Sequence, residues 1–453
     1  MDAFIGHKQI GGLNAYRRPI VAAITTALLI GSFSGNLQHI YAATPNERIK
    51  ISTSASTEIT ALSEQIKQLV KGLEYSDKVA EDFVQMVSGW KDDQGRPVLV
   101  AWKQRLNQAS QDYKQAKISK AQLAKVEENI VKELSQRIQK EISPDRSLKF
   151  FDLADVIKHK QTQCLGFSQL VYIAGNSVGL SVRTIDVAEM MTGLLAPEAG
   201  HAASIVSLAD GSTMMVDLVP GGFISKPRII EEEFAKVGNY WELNDKDNPL
   251  GIHRRIQILD RNGLIGSIYS NRGDAYGKLG QHTRAISDCT KAIELNPKLA
   301  EAYNNRGVAY GKLGQHTQAI SDYNKAIELN PKYAAAYSNR GNVYGKLGQH
   351  TQGISDYNKA IELNPKYAEA YYNRGIAYGK LGELPQAIAD FSKAIELDPK
   401  LADAYSNRGL VYAALGKSGE AKKDLLKAVE LNPALKPRVK QISEQFKLGL
   451  KLD

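Results

Sequence analysis

From Gly266 to Ala434–Leu435 the chain repeats itself every 34 residues, and no other feature constrains its fold as strongly. Tyr269, Tyr303, Tyr337, Tyr371 and Tyr405 mark the period. Asn-Arg-Gly recurs at 271–273, 305–307, 339–341, 373–375 and 407–409, and each unit closes on Asn-Pro or Asp-Pro. Counted from Gly266, every copy has Gly at position 8, Tyr at 11, a small residue at 20 and Pro at 32. A unit this short cannot enclose a core alone, so its apolar residues must be covered by the next copy.

The pattern resembles the tetratricopeptide repeat (TPR), in register, five times over residues 266–435. The resemblance implies an all-α superhelix of paired helices. Val439, Ile442 and Phe446 then give residues 436–453 the spacing of a capping helix. With positions 4, 8 and 11 packed inward, positions 2, 6, 9 and 13 point to the concave groove. Position 6 is Asn271, Asn305, Asn339, Asn373 and Asn407; position 13 is Lys278, Lys312, Lys346 and Lys380. An asparagine column suits an extended peptide backbone, and the lysines favour carboxylates. The column resembles the asparagine-lined groove of the O-linked GlcNAc transferase superhelix. A protein or peptide is therefore the expected partner.

Charge could suggest a different partner. The 453 residues hold 58 Lys+Arg and 49 Asp+Glu, a net charge of +9. Residues 266–453 carry 27 basic and 19 acidic residues, so nearly all of the excess lies in the repeats and cap. Those basic residues are dispersed and no aromatic platform interleaves with them, which argues against nucleic acid. Two cysteines exclude a disulfide scaffold and a Cys-built zinc site; no metal or cofactor is expected.

The start reads as a targeting segment. Arg17-Arg18 precede the apolar run Pro19–Ile30, and Tyr41-Ala-Ala43 follows. This is the order of a secretory signal over residues 1–43, with export to a periplasmic or extracellular space. An uncleaved segment would instead anchor the protein. No later stretch is apolar enough to span a bilayer.

Residues 57–144 read as a helical region. Ile59, Leu62, Ile66, Leu69 and Leu73 fall at helical spacing, as do Val79, Phe83, Val87 and Trp90, and Leu123, Val126, Ile130, Leu134 and Ile138. Residues 145–240 change to α+β text: a helix from Leu165 to Val178, an alternating run at Val182–Val187, and a hairpin of His201–Leu208 with Thr213–Val219.

Cys164 opens the apolar helix, where unpaired N–H groups and the macrodipole favour a thiolate. A nucleophilic thiol also needs a base and a group to orient that base. His201 and Asp217 lie on the two hairpin strands. A two-residue turn would set them on opposite faces. A three-residue loop, Ala209-Asp210-Gly211, pairs residues summing to 420 and places both on one face. Asp-Gly suits that loop.

Cys164-Leu-Gly-Phe-Ser, Gly179-Leu-Ser-Val-Arg183, Gly200-His-Ala202 and Met215-Val-Asp-Leu218 resemble, in that order, the transglutaminase-like core of the papain-like cysteine enzymes. The match covers about 150–225. It implies Cys164 as nucleophile, His201 as general base and acid, and Asp217 as the orienting residue. Gln161 or Gln163 would join the Cys164 N–H in an oxyanion hole. Two departures are Ala203, where the family has an aromatic, and Thr162, where glycine is common. The expected architecture is an α+β transglutaminase-like domain with an N-terminal helical layer, followed by the TPR superhelix. An exported thiol enzyme acting on peptide amides and a non-catalytic TPR interaction scaffold both fit that plan.

Overall fold

The computed structural model describes residues 45–144, 153–162, 164–190, 201–218, 224–237, 240–244 and 253–450. The signal-like segment 1–43, Gln163 and the loop with Gly193 and Pro197 lie outside the described residues. Ser56–Asp453 form one compact unit. Among the described residues no helix is long and apolar enough to cross a membrane.

Four helices come first: α1 (Pro45–Gly72), α2 (Asp77–Ser88), α3 (Val98–Lys114) and α4 (Lys120–Glu141). The three apolar sets of the sequence fall in α1, α2 and α4, with Leu73 and Trp90 just past the ends of α1 and α2. The additional helix, α3, buries Leu99, Trp102 and Leu106. Its start follows Pro97, whose fixed φ suits a helix N-terminus. Ser119 and Gln122 close a capping box at the start of α4, satisfying two backbone N–H groups reciprocally.

A two-residue parallel pairing of β1 (Ser143–Pro144) with β2 (Gln161–Thr162) brackets α5 (Leu153–His159) and delivers the chain to α6 (Cys164–Val178). Gly179, at φ +103°, reverses the chain where a side chain would be strained. β3 (Ser181–Met190) then runs back, paired with β4 (His201–Ser207), which pairs with β5 (Thr213–Val216). A short α7 (Ile230–Glu233), β6 (Phe234–Val237), β7 (Tyr240–Leu243) and β8 (His253–Leu259) complete an antiparallel sheet of order β5-β4-β3-β8-β7-β6. The sheet therefore runs past residue 240, the end of the segment read as α+β, to Leu259. β8 lies at its centre, beside β3.

The sheet buries both faces. Val206, Met214 and Val216 join the large core beneath α6 and the N-terminal helices. Ala203, Ile205 and Met215 pack into a second core with Ile230, Phe234 and Ile256. The alternation follows from the two-residue period of a strand.

Ten helices in five pairs form the repeat array. They are α8 (Arg261–Lys278) and α9 (His282–Leu295), α10 (Ala300–Lys312) and α11 (His316–Leu329), α12 (Ala334–Lys346) and α13 (His350–Leu363), α14 (Ala368–Lys380) and α15 (Leu384–Leu397), and α16 (Ala402–Ala414) and α17 (Ser418–Leu431). The last helix, α18 (Lys436–Gln445), buries Val439 and Ile442 against Ala421 and Leu425, as the capping spacing predicts.

Two sequence columns hold each pair together. Glycine at position 8 lets the position-24 side chain approach the first helix: a Cβ on Gly341 would stand 2.8 Å from the Tyr357 ring. In the first repeat Cys289 takes that place, completely buried, and burial pushes its thiol up to about 12. It is a packing residue. The second column is ionic. The arginine of each Asn-Arg-Gly forms a bidentate pair with an aspartate 16 residues on: Arg272–Asp288, Arg306–Asp322, Arg340–Asp356, Arg374–Asp390 and Arg408–Asp424.

The array is joined to the N-terminal core. Leu264, Ile265 and Ile268 of α8 belong to that core. Arg261 Nε donates to the Gly72 carbonyl at 2.6 Å, capping α1, and Tyr269 Oη donates to Glu74 Oε2 at 2.6 Å.

Candidate functional site

The repeats present a cleft of about 450 Å³ lined from α10 to α14. All four groove-facing positions contribute: Glu369 from position 2, Asn339 and Asn373 from 6, Val308, Asn342 and Ile376 from 9, and Lys312, Lys346 and Lys380 from 13. None of these three lysines forms an ion pair among the described residues. Lys278, by contrast, pairs with Asp274 at 2.7 Å and lies outside the cleft.

The asparagine column is largely engaged within the protein. Asn271 Nδ2 donates to the Ser267 carbonyl at 3.1 Å, one helical turn back. Asn305 Nδ2 lies 3.3 Å from Ser270 Oγ, Asn339 Nδ2 3.0 Å from Asn304 Oδ1, and Asn407 Nδ2 3.0 Å from Tyr372 Oη. In each of these three, position 6 of one repeat donates to position 5 of the repeat before. The column is thus first an inter-repeat clamp. Only part of its hydrogen-bonding capacity faces the groove, because an amide spends one N–H on its neighbour and keeps its other groups. Asn373 is the exception and makes no hydrogen bond among the described residues.

Position 2, set toward the groove by helical geometry, varies in its residues: Ser267, Glu301, Ala335, Glu369 and Asp403. Only the stacked geometry shows that Glu369 adds an acid to a lysine-lined cleft.

The second candidate centre surrounds Cys164. It opens α6, partly exposed, and is not in a disulfide. Gly166, two residues on, is needed for close approach: an added Cβ would collide with Thr162 Oγ1. Tyr75 Oη donates to Gln169 Oε1 at 2.7 Å and accepts the Leu153 N–H at 3.2 Å, fixing α6 against the helical layer.

The hairpin has the three-residue loop. Ser204 pairs with Val216, Ile205 with Met215 and Val206 with Met214, each summing to 420. Gly211 is at φ +98°, and Asp210 Oδ1 accepts the Ser212 N–H at 2.9 Å. Extending the register sets Asp217, which is buried, opposite Ala203, with position 201 on the same face. His201 pairs with Val187 along the backbone; its side chain lies outside the described residues.

Positions 201 and 217 share the face of Ala203 and Ile205, whereas the body of α6 covers the opposite face. The hairpin register thus sets His201 and Asp217 on one face of the sheet. Of the two glutamines, Gln161 is exposed on β2.

Comparison with known proteins identifies the array. Tetratricopeptide repeat models match residues 300–333, 368–401 and 402–435, a TPR repeat model matches 273–314 and 346–382, and a further tetratricopeptide model matches 322–354. The human mitochondrial import receptor subunit TOM34 is 34% identical over 104 residues, 22% of this chain. The chain spans about a third (32%) of the length of that relative. Among solved structures, MamA is 31% identical over 36% of this chain and 95% of its own, with a TM-score of 0.33. YrrB, described as a TPR protein with an unusual peptide-binding site, is 26% identical over 39% and 90%, with a TM-score of 0.33. Residues 273–435 are tetratricopeptide repeats.

Proposed function

We propose that the repeats bind an extended, acidic segment of a partner protein in the cleft between α10 and α14. The carrying observation is the row formed by Lys312, Lys346 and Lys380, which lines the cleft without intramolecular ion pairs among the described residues. Lysines at 34-residue spacing, on a wall also built from Val308 and Ile376, suit a peptide that alternates carboxylates with apolar side chains. Fluorescence anisotropy of a labelled Asp/Glu-rich peptide tests the reading. Lys346→Ala/Lys380→Ala should weaken binding about tenfold and flatten its salt dependence. Equal affinity in the variant refutes the groove.

A second reading places thioester chemistry at Cys164. It is supported by the helix-start position of the thiol and by the hairpin register shared by His201 and Asp217. In this reading the thiolate attacks an amide carbonyl, and the amine leaves with a proton from His201. The thioester then passes to water or to a lysine. The repeats would recruit the substrate. Iodoacetamide labelling of Cys164 at pH 6, lost in His201→Ala, is the expected signature. Labelling only near pH 8.5, or none, leaves the repeats as an interaction scaffold beside an inert domain. Export through residues 1–43 is part of the same proposal; mass spectrometry of the N-terminus after expression in the native host tests cleavage near Ala42–Ala43.

A further inference from the structure

The fifth repeat shows how this groove holds a cation. Arg438 of α18 donates through Nη2 to Asn407 Oδ1, and its Nη1 stands 3.8 Å from Asp403 Oδ1. Asn407 in turn donates to Tyr372 Oη. A planar guanidinium with a fork of donors suits a carboxylate and an amide oxygen one helical turn apart.

The same constellation exists 34 residues earlier without its cation. Glu369 and Asn373 replace Asp403 and Asn407. Among the described residues, Glu369 has no ion pair and Asn373 no hydrogen bond. Ser338 stands where Tyr372 receives Asn407. It is fully buried, and its Oγ has no partner. A buried hydroxyl left unpaired is costly, and such atoms are uncommon. Glu369, Tyr372 and Asn373 also line a second cleft, of about 530 Å³, whose other walls include Lys366, Asp398 and Leu401. Glu369 and Asn373 face this cleft and the lysine-lined one alike.

We infer that Glu369 and Asn373 form a guanidinium subsite, so the segment held by the repeats carries an arginine next to its acidic residues. The subsite stands on the Arg438 arrangement; its occupant's being a peptide rests on the groove reading above. An ammonium fits less well, because a point charge on a flexible stem lacks the planar fork that bridges carboxylate and amide.

Agmatine, a guanidinium on a short alkyl chain, is the first probe, titrated against the full chain by saturation-transfer NMR. Saturable binding is expected, about fivefold weaker in Glu369→Gln and unchanged in Lys359→Ala, a lysine outside both clefts. Glu369 is exposed in the first turn of α14, so the variant should fold, which circular dichroism checks. No saturable binding, or equal binding in Glu369→Gln, overturns the subsite. The second arm compares an acidic peptide containing one arginine with the same peptide containing citrulline. An arginine preference of about fivefold, lost in Glu369→Gln, supports the inference. Equal binding of both peptides overturns it and leaves the acidic groove intact. Agmatine binding without peptide binding supports the subsite and removes the groove reading.

Discussion

Replacing Asp356 by asparagine should destabilise the central repeats far more than breaking an exposed ion pair of the same length. Arg340 Nε lies 2.8 Å from Asp356 Oδ2 and Nη2 lies 2.7 Å from Oδ1; Nη1 reaches Asn324 of the preceding repeat at 2.5 Å. The Asp356 side chain is 8% exposed and that of Arg340 19%, so little water replaces a lost partner. Two unit charges about 4 Å apart attract by roughly 4 kcal/mol at an effective dielectric of 20, and desolvation offsets much of this. Removing one partner strands the other, which typically costs 3–5 kcal/mol for fully buried pairs. Asparagine keeps the volume and one acceptor, so about 2–3 kcal/mol is expected. The comparison is Lys359–Glu362, also 2.7 Å but well exposed, where Lys359→Ala should leave stability unchanged within error. Equilibrium urea denaturation gives the totals, and hydrogen exchange in α12 and α13 localises them. A double-mutant cycle with Arg340→Gln should show a coupling of about 2 kcal/mol. If Asp356→Asn lies within about 0.5 kcal/mol of the native protein, burial does not set the strength of these pairs and the reasoning fails.

Glycines of one helix should respond with opposite signs. Gly375→Ala, whose Cβ would stand 2.8 Å from the Phe391 ring, should cost about 1–2 kcal/mol, whereas Gly379→Ala has open space and should gain up to about 1 kcal/mol, both read by urea midpoint. Cys289 makes stability depend on alkaline pH. Its folded thiol is raised from 9.0 to about 12, so the contribution is complete below pH 9 and is lost as pH rises toward 12. The advantage of the native protein over Cys289→Ala should therefore shrink by about 2 kcal/mol between pH 8 and 10.5; a constant difference refutes it. A fragment starting at Gly266 should aggregate or unfold where the full chain does not, since it lacks Leu264 and Ile265 and strands Ile268; a monodisperse, helical fragment by light scattering and circular dichroism would contradict this.

The repeat array was legible because one local pattern is stated five times, and averaging over copies cancels the accidents of any single one. The groove-facing positions followed from helical geometry alone. What geometry along one helix could not show was competition: whether Asn305 and Asn339 address a ligand or the neighbouring repeat depends on residues 35 positions away. The Arg–Asp column was hidden for the same reason, its halves lying on different helices. In the middle of the chain, the Ala209-Asp210-Gly211 loop carried enough local chemistry to state the hairpin register. By contrast, His253–Leu259 pairs with β3 some 70 residues earlier, and nothing local marks it as a central strand. α3 lies within the stretch read as helical, but among polar residues its Trp102 and Leu106 are only sparse markers of a separate helix. The relation of Cys164 to His201 and Asp217 is tertiary: it depends on how α6 lies on the sheet, which no local pattern states.

A stacked array ordinarily has two loose ends. Here α8 shares the N-terminal core, with Arg261 on the Gly72 carbonyl and Tyr269 on Glu74, so the first repeat is clamped at its boundary. Among the described residues, the other end is closed by the ten-residue α18. Disorder can then enter the array from one side, and unfolding should run as a front from α18 toward α8, like a zip with a sewn end. A load pulling on the C-terminus would peel repeats singly, while a ligand spanning α10 to α14 would halt the front midway.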